Sequence, residues 1–219
     1  MAREIQDKRE VPRDRLVSTA LRLFSERGFH ATGIDTILAE AGIAKMTLYK
    51  HFASKDELIL ATLKRKGDEL HPWIARRVEE LAHGGRHRLL AIFDALREGC
   101  ADPKFYGCIF ANAAAEFHDV DDPIHAEAYR QKRWTEDFIH GLAVKAGVRS
   151  PHSLALQLCV LIDGAIVLTH LSGNTEPIRQ AAAAARILID DSLPKPGPKP
   201  PARAVRPVRK RGSKFSRQR

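Results

Sequence analysis

The sequence contains few cysteines, and this scarcity limits the kinds of site that the chain can form. Only Cys100, Cys108 and Cys159 are present, and no two of them have the C-x-x-C spacing of thiolate metal sites and redox motifs. An odd and sparse set argues against a disulfide framework and against a cysteine-rich metal centre. We expect reduced, partly buried thiols in a cytoplasmic protein.

The motifs of several enzyme classes are also missing. The chain has no G-x-S-x-G, no Walker loop and no H-E-x-x-H, which mark nucleophilic, phosphate-binding and zinc-dependent sites. His83 and His87 have a helical metal-ligand spacing, but the two glycines between them argue against a helix there. We therefore predict no catalytic residues, no metal and no cofactor. A catalytic C-terminal domain of unknown type, motivated only by Glu116, His118 and Asp163, is the alternative.

Signals for export or membrane insertion are lacking as well. Residues 1–14 are highly charged, unlike a secretory signal. The most apolar region, residues 154–171, contains Gln157, Asp163 and His170. A charged residue near its centre favours a buried helix of a soluble protein over a membrane span. These features predict a cytoplasmic location and no membrane partner.

Alternating runs of β-branched residues, which mark strands, do not occur either. Apolar residues instead recur at helical spacing between glycine and proline breaks, so the fold is predicted to be all-α. Three short helices are expected within residues 12–52. Further helices are expected near residues 54–81, 86–101, 108–117, 123–146, 150–171 and 177–190.

Acidic residues are absent from the C-terminal segment 194–219, which contains ten lysines and arginines and six of the twelve prolines. The formal net charge of +9 therefore arises there, since residues 1–193 hold 26 basic against 27 acidic residues. With few apolar residues to bury, this basic tail is expected to be disordered. It could lie along DNA phosphates without sequence preference, or it could be a solubilising end.

What the chain does contain is an unusual short helix in the stretch 41–58. Apolar residues are expected to face inward at Ile43, Leu48 and Phe52, which leaves a basic, hydroxylated and aromatic outer face. No acid occurs between Glu40 and Asp56. Such a face suits a DNA groove, because cations bind phosphates while donors and a methyl group contact base edges.

Local signals are expected to fix the ends of the helices around this stretch. Thr32 and Asp35 have the spacing of a capping box that would begin the second helix, and Gly42 would end it. Ser54 and Glu57 form a full S-x-x-E capping box for the fourth helix. A short helix placed after a glycine turn in this way is the helix-turn-helix pattern.

With these residues in view, residues 12–62 resemble the DNA-binding domain of TetR-family transcriptional regulators. The resemblance is carried by residues 20–32 (ALRLFSERGFHAT), 37–43 (ILAEAGI), 47–52 (TLYKHF) and 54–58 (SKDEL). It implies a homodimeric repressor whose larger C-terminal domain binds a small effector and releases the DNA. One departure is Ala44, where the family commonly has a capping Ser or Thr; a missing cap costs roughly 0.5–2 kcal/mol.

These observations predict four segments of the chain: an N-terminal arm (1–11), a helix-turn-helix DNA-binding domain (12–53), a helical effector-binding and dimerisation domain (54–193) and the disordered tail (194–219). The partners predicted are a palindromic double-stranded DNA operator, an unknown small-molecule effector and a second copy of the chain. The predicted DNA-binding residues, for base edges or phosphates, are Thr32, Lys45, Met46, Thr47, Tyr49, Lys50, His51 and Lys55. A weakly specific architectural DNA-binding protein that uses the basic tail is the alternative function.

Two further sets are predicted in the C-terminal domain, each with ordinary core packing as its alternative. Aromatic and polar side chains that could line an effector pocket are Phe93, Phe110, Asn112, Phe117, Tyr129, Trp134 and Phe138. Apolar and small residues on the last two helices could form a four-helix dimer interface, namely Leu161, Gly164, Ala165, Leu168, Ala181, Ala185 and Leu188.

Overall fold

A computed structural model describes residues 11–194, and within this range the chain forms nine α-helices and no strand. The all-α prediction is therefore confirmed. In chain order the helices are α1 (Pro12–Arg27), α2 (Ile34–Ala41), α3 (Lys45–His51), α4 (Lys55–Leu81), α5 (Gly85–Gly99), α6 (Ile109–Glu116), α7 (Pro123–Lys145), α8 (Pro151–Ser172) and α9 (Glu176–Ser192). The predicted tail, from residue 195 onward, and residues 1–10 of the predicted arm lie outside the described residues.

The first three helices form a small bundle around a dense apolar core. Leu16, Leu23, Ile37 and Leu48 are fully buried in it. Gly42, between α2 and α3, adopts the left-handed conformation with φ 61° and ψ 38°, which side chains disfavour. The tight turn it permits sets the position of α3 against α1 and α2.

Helix α4 connects this bundle to the rest of the molecule. Its N-terminus has the predicted cap: the Ser54 hydroxyl accepts a hydrogen bond from the Glu57 backbone N–H at 3.2 Å. In return, the Glu57 carboxylate accepts one from the backbone N–H of Ala53 at 2.8 Å. These bonds use donors that a helix start leaves without partners.

Two apolar cores run along the molecule. The first joins the α1–α3 bundle to the N-terminal part of α4 and to residues such as Phe110 and Ile124 of α6 and α7. The second lies among the end of α4, α5, the end of α7, α8 and α9. Helix α6 and the start of α7 therefore pack on the α1–α3 bundle. The predicted boundary at residue 53 stays a prediction.

Helix α8 is, among the helices described, the one that is long and apolar enough to cross a membrane by length and composition. Core helices of soluble proteins have the same composition. Here one side of α8 is buried through Leu154, Leu158 and Ile162. Asp163, near its centre, forms an ion pair with Lys132 of α7. One side of α8 is therefore packed inside the chain.

Candidate nucleic-acid interface and ligand cavity

Helix α3 is fixed by its apolar side and exposes its polar side. Leu48 and Phe52 are buried, as is Ile43 before the helix. The predicted DNA-binding side chains of this helix lie outside the core: Thr47 is half-buried, and the exposed ones are Lys45, Met46, Tyr49, Lys50 and His51. Lys55, at the start of α4, is half-buried. The surface that α3 presents is the basic and aromatic one that its sequence indicates.

The N-terminus of α3 has no side-chain cap, in line with the sequence. Ala44 is the N-cap residue, and only its carbonyl takes part, accepting hydrogen bonds from the backbone N–H groups of Thr47 and Leu48. Free N–H groups at a helix start favour an anion such as a phosphate. The helix is therefore anchored by Leu48 and Phe52 rather than by its first turn.

The predicted role of Thr32 is wrong in its structural basis. Helix α2 begins at Ile34 with Gly33 as its N-cap residue, and no side chain caps it. The Thr32 side chain is 1% exposed, and its hydroxyl donates to the Gly28 carbonyl at 2.7 Å. Thr32 and Asp35 therefore do not form a capping box. The Thr32 hydroxyl instead ties the α1–α2 turn together, so it is not available to a phosphate.

Asp35 instead forms an ion pair with Lys45, on the exposed side of α3. Its carboxylate lies 3.4 Å from the Lys45 ammonium, and both side chains are largely exposed. An exposed ion pair of this kind contributes little stability. The pair links α2 to α3, and a DNA phosphate or base acceptor would compete with Asp35 for Lys45.

The bundle is held to the C-terminal part of the chain by Glu116, the last residue of α6. Its carboxylate accepts hydrogen bonds from the backbone N–H groups of Phe29, at 2.8 Å, and His30, at 2.6 Å. Its Oε2 also lies 2.8 Å from His30 Nδ1. Partial burial would raise the pKa of Glu116, but these contacts lower it below its ordinary value. The next residue, Phe117, stacks on the His30 ring with centroids 4.9 Å apart.

Gly28 is required for this contact. Its φ is +86°, which a side chain disfavours, and a Cβ there would lie 2.9 Å from Glu116 Oε1. The sequence reveals Gly28 as a helix end, but it gives no signal that Glu116, far along the chain, approaches it. From the sequence alone, Glu116 is only a polar residue of the C-terminal domain.

A cavity of about 300 Å³ lies between α4, α5, α6, α7 and α8 and the loop before α6. Three of the seven predicted pocket residues, Phe110, Asn112 and Phe138, line it. Its walls are mainly apolar and aromatic, the composition of small-molecule sites. Residues that the prediction missed include Lys66, His71, Trp73, Phe105, Tyr106 and Lys132.

The other four predicted pocket residues do not line this cavity. Phe93 is 1% exposed within the second core, and Tyr129 is 60% exposed on the surface. Phe117 packs on the α1–α2 turn through Phe29 and His30. Trp134 stacks between His71 and Phe138, so it packs against two cavity-lining rings without lining the cavity itself. On α7, helical periodicity does not distinguish Tyr129, Trp134 and Phe138, because the first faces solvent, the second packs against rings and the third lines the cavity.

Two of the three cysteines, Cys100 and Cys159, are not activated. Burial raises the pKa of Cys100 to about 12 and that of Cys159 to about 11, so both thiols stay protonated at neutral pH. Cys100 and Cys108 line the cavity, and all three cysteines are free. Within residues 11–194, no group of three or more His, Cys, Asp and Glu side chains is arranged to hold a metal ion.

The last two helices expose an apolar face that differs in part from the predicted one. Gly164 and Leu168 are exposed on it, and Leu161 and Leu188 are half-buried. Ala165, Ala181 and Ala185 are buried inside the chain, where they pack in the second core, so the exposed face does not include them. Large exposed apolar residues that the prediction missed are Leu156, Val160, Val167, Leu171 and Ile187.

Comparison with known proteins agrees with this architecture. The family model described as bacterial regulatory proteins of the tetR family matches residues 16–62, and that described as the tetracyclin repressor-like C-terminal domain matches residues 85–185. The transcriptional activator FasR of Mycolicibacterium smegmatis is 38% identical over 105 residues, a match that covers 48% of each protein. The chain thus matches about half the length of that relative.

Other similarities extend over most of the chain. The repressor DhaR of a Mycobacterium strain is 28% identical over 175 residues, which cover 77% of this chain and 87% of that protein. The crystal structure of a TetR-family regulator from Streptomyces coelicolor is 29% identical, covers 83% of this chain and 95% of its own, and superposes with a TM-score of 0.78. Its helix-turn-helix, its helical C-terminal region and these matches show that the chain belongs to the TetR family of DNA-binding transcriptional regulators.

Proposed function

We propose that the protein is a dimeric transcriptional repressor that leaves its operator when a small molecule occupies the cavity. The observation that carries this proposal is the position of α6. Ile109, Phe110 and Asn112 of this helix line the cavity, while Glu116, at its other end, holds the α1–α2 turn of the DNA-binding bundle. A ligand that shifts α6 would therefore shift the bundle.

In the proposed complex, two α3 helices enter successive major grooves about 34 Å apart on a palindromic operator. Lys45, Met46, Thr47 and His51 contact base edges, as the order of polar and apolar groups on α3 suggests. Phosphate contacts come from other side chains, namely Tyr49, Lys50 and Lys55. Thr32 has no place in this set, because its hydroxyl is buried.

The proposed dimer uses the exposed apolar face of α8 and α9. Val160, Gly164, Val167 and Leu171 follow one another at three- and four-residue spacing along α8, and Ile187 extends the patch onto α9. A two-fold axis through this face would bury the patch in a four-helix interface. A contiguous apolar surface of this kind marks an interaction site.

Release of DNA follows from linkage. The effector binds best to the arrangement in which the two bundles are spaced wrongly for DNA, so its differential affinity sets the loss of DNA affinity. Repression is favoured over activation because DhaR and NemR, both named repressors, match 77% and 81% of the chain, whereas the activator FasR matches 48%. In this proposal the protein acts in the cytoplasm and has no enzymatic activity and no cofactor.

Fluorescence anisotropy with labelled DNA from the region flanking the gene tests this function. We expect a salt-dependent complex that requires a palindrome and contains two chains per site. A chain that ends after Leu193 should keep this complex, with only a smaller dependence of affinity on salt. If truncation abolishes DNA binding, or if binding ignores the sequence, the architectural alternative replaces the repressor.

A further inference from the structure

The cavity combines apolar walls with a charged group, and this combination indicates the chemistry of its ligand. Its aromatic lining consists of Trp73, Phe105, Tyr106, Phe110 and Phe138. Walls of this composition bind an apolar body, and a volume of about 300 Å³ is at the small end of the range for small-molecule sites. The few polar groups among these walls then decide which apolar molecules are accepted.

Lys132 supplies the charged group. It lies on α7, lines the cavity and has a side chain that is only 25% exposed. Its ammonium pairs with Asp163 of α8, which is 47% exposed and does not line the cavity. A lysine ammonium has three donors, so this pair leaves donors that a ligand can use.

The amine is protonated where it lies. Burial alone would lower the pKa of Lys132, but negative charge beside the ammonium, including the Asp163 carboxylate that pairs with it, raises the pKa above its ordinary value. A protonated amine is not a nucleophile, which argues against covalent capture of a carbonyl compound. Asp163 compensates the Lys132 charge from the side of α8, and an anionic ligand would give the ammonium a second partner from the cavity side.

The remaining ionisable groups of the wall add to the positive charge. Lys66 and Lys104 also line the cavity. Asp102 is the one carboxylate in the described lining, and its Oδ1 accepts a hydrogen bond from the backbone N–H of Lys104 at 2.8 Å. Burial lowers the pKa of His71, so its ring is neutral at pH 7. This balance disfavours amines and favours anions.

We propose that the effector is a hydrophobic carboxylate whose head group pairs with Lys132 and whose body packs against the aromatic walls. This inference rests on the proposed function of the cavity as the effector site. The half-buried ammonium of Lys132 suits a monoanion, whereas planar recognition of a phosphate is the chemistry of arginine, and no arginine is among the described lining residues. Asp163 competes with the ligand for the ammonium from the side of α8.

Isothermal titration calorimetry on the full chain tests the inference with two matched pairs of probes: 4-phenylbutyrate against 4-phenylbutanol, and decanoate against decanol. Within each pair the apolar body is shared and the charge is not. We expect at least one acid to bind roughly tenfold or more tightly than its alcohol. Equal affinity of acid and alcohol in both pairs, or no binding of either acid, would overturn the inference.

Variants identify the residue responsible. Lys132→Met should abolish the preference for the acid and leave the affinity for the alcohol nearly unchanged. Lys145→Met, which removes an exposed lysine of the same helix, is the matched control and should keep the preference. An unchanged preference in Lys132→Met would contradict the assignment.

Asp163→Asn gives an independent measurement that does not depend on the folding of Lys132→Met. Removal of the competing carboxylate should raise the affinity for the acid several-fold and leave the affinity for the alcohol unchanged. If the pair only fastens α7 to α8, the acid affinity will stay constant or fall, and the inference fails.

Failure of the proposed function would look different. In that case the acids would bind with the predicted preference but would not change the affinity for operator DNA. Conversely, release of DNA by the alcohols as readily as by the acids would support the proposed function and reject the carboxylate.

Discussion

The carboxylate of Glu116 accepts a hydrogen bond from the backbone N–H of His30 at 2.6 Å, across 86 residues of sequence. The same carboxylate accepts from Phe29 and contacts the His30 ring. One side chain thus links the end of α6, whose first turns line the cavity, to the turn between α1 and α2. This contact is a direct route from the cavity wall to the DNA-binding bundle.

Replacement of Glu116 by Gln should weaken this junction. Hydrogen bonds to a charged group contribute about 1.5–3 kcal/mol, so we expect the free energy of unfolding to fall by about that amount or somewhat less. Denaturant unfolding followed by circular dichroism measures it. Glu176→Gln is the control, because Glu176 is paired only within α9 and should change stability by less than about 0.5 kcal/mol. Equal effects of the two substitutions would contradict the role of Glu116.

The contribution of Glu116 should depend on pH. Its pKa is lower in the folded chain than its ordinary value of 4.5, so its ionised form stabilises the fold above that value. This stabilisation is lost as the pH falls below 4.5 and through the lowered pKa. The difference in stability between the wild type and Glu116→Gln should therefore be constant near neutral pH and shrink in acid. A difference that grows as the pH falls would show the opposite linkage.

Two glycines of the same turn should respond differently to alanine. Gly28→Ala forces a side chain onto φ +86° and toward Glu116 Oε1, so it should destabilise the fold by more than about 1 kcal/mol. Gly33 has φ −82°, and a Cβ at this position would meet nothing within 4 Å, so Gly33→Ala should cost less than Gly28→Ala, namely only the weaker N-cap preference of alanine. Thermal denaturation of both variants compares them directly, and a neutral Gly28→Ala would remove the argument for close approach.

The proposed dimer depends on the exposed face of α8. Val167→Glu places a charge in the centre of that face, and we expect it to convert the dimer to a monomer. Val120→Glu alters another exposed valine, which lies before α7, and should leave the dimer intact. Sedimentation equilibrium distinguishes the two, and a dimeric Val167→Glu at micromolar concentration would place the interface elsewhere.

The fold of the DNA-binding bundle can be predicted from the sequence because the ends of its helices carry local signals. Gly42 and the Ser54–Glu57 box fix α3 and α4 through contacts within a few residues. The sequence is misleading at Thr32 because the same residue type both caps helices and ties turns from inside, and only its burial distinguishes these roles. The contact of Glu116 with His30 has no local signal, since it joins residues far apart in the chain.

The cavity and the exposed face of α8 and α9 are less predictable for a related reason. Both depend on which side of a long helix meets which neighbour. On α7, Lys132 faces the cavity while Tyr129, one turn earlier, faces solvent. On α8, Ala165 is buried while Val167 is exposed. When apolar residues lie on several faces of one helix, their pattern does not show which face meets the core, which the cavity and which solvent.

The most direct test of the central claim, that α3 reads DNA, is an anisotropy titration of the gene's flanking DNA with paired variants. Lys45→Ala/Lys50→Ala removes two charges from α3, and Lys145→Ala/Arg186→Ala removes two exposed charges from α7 and α9. We predict that the α3 variant loses roughly tenfold or more in affinity for the specific site, while the control binds as the wild type does. Equal affinities for the two variants would contradict the account.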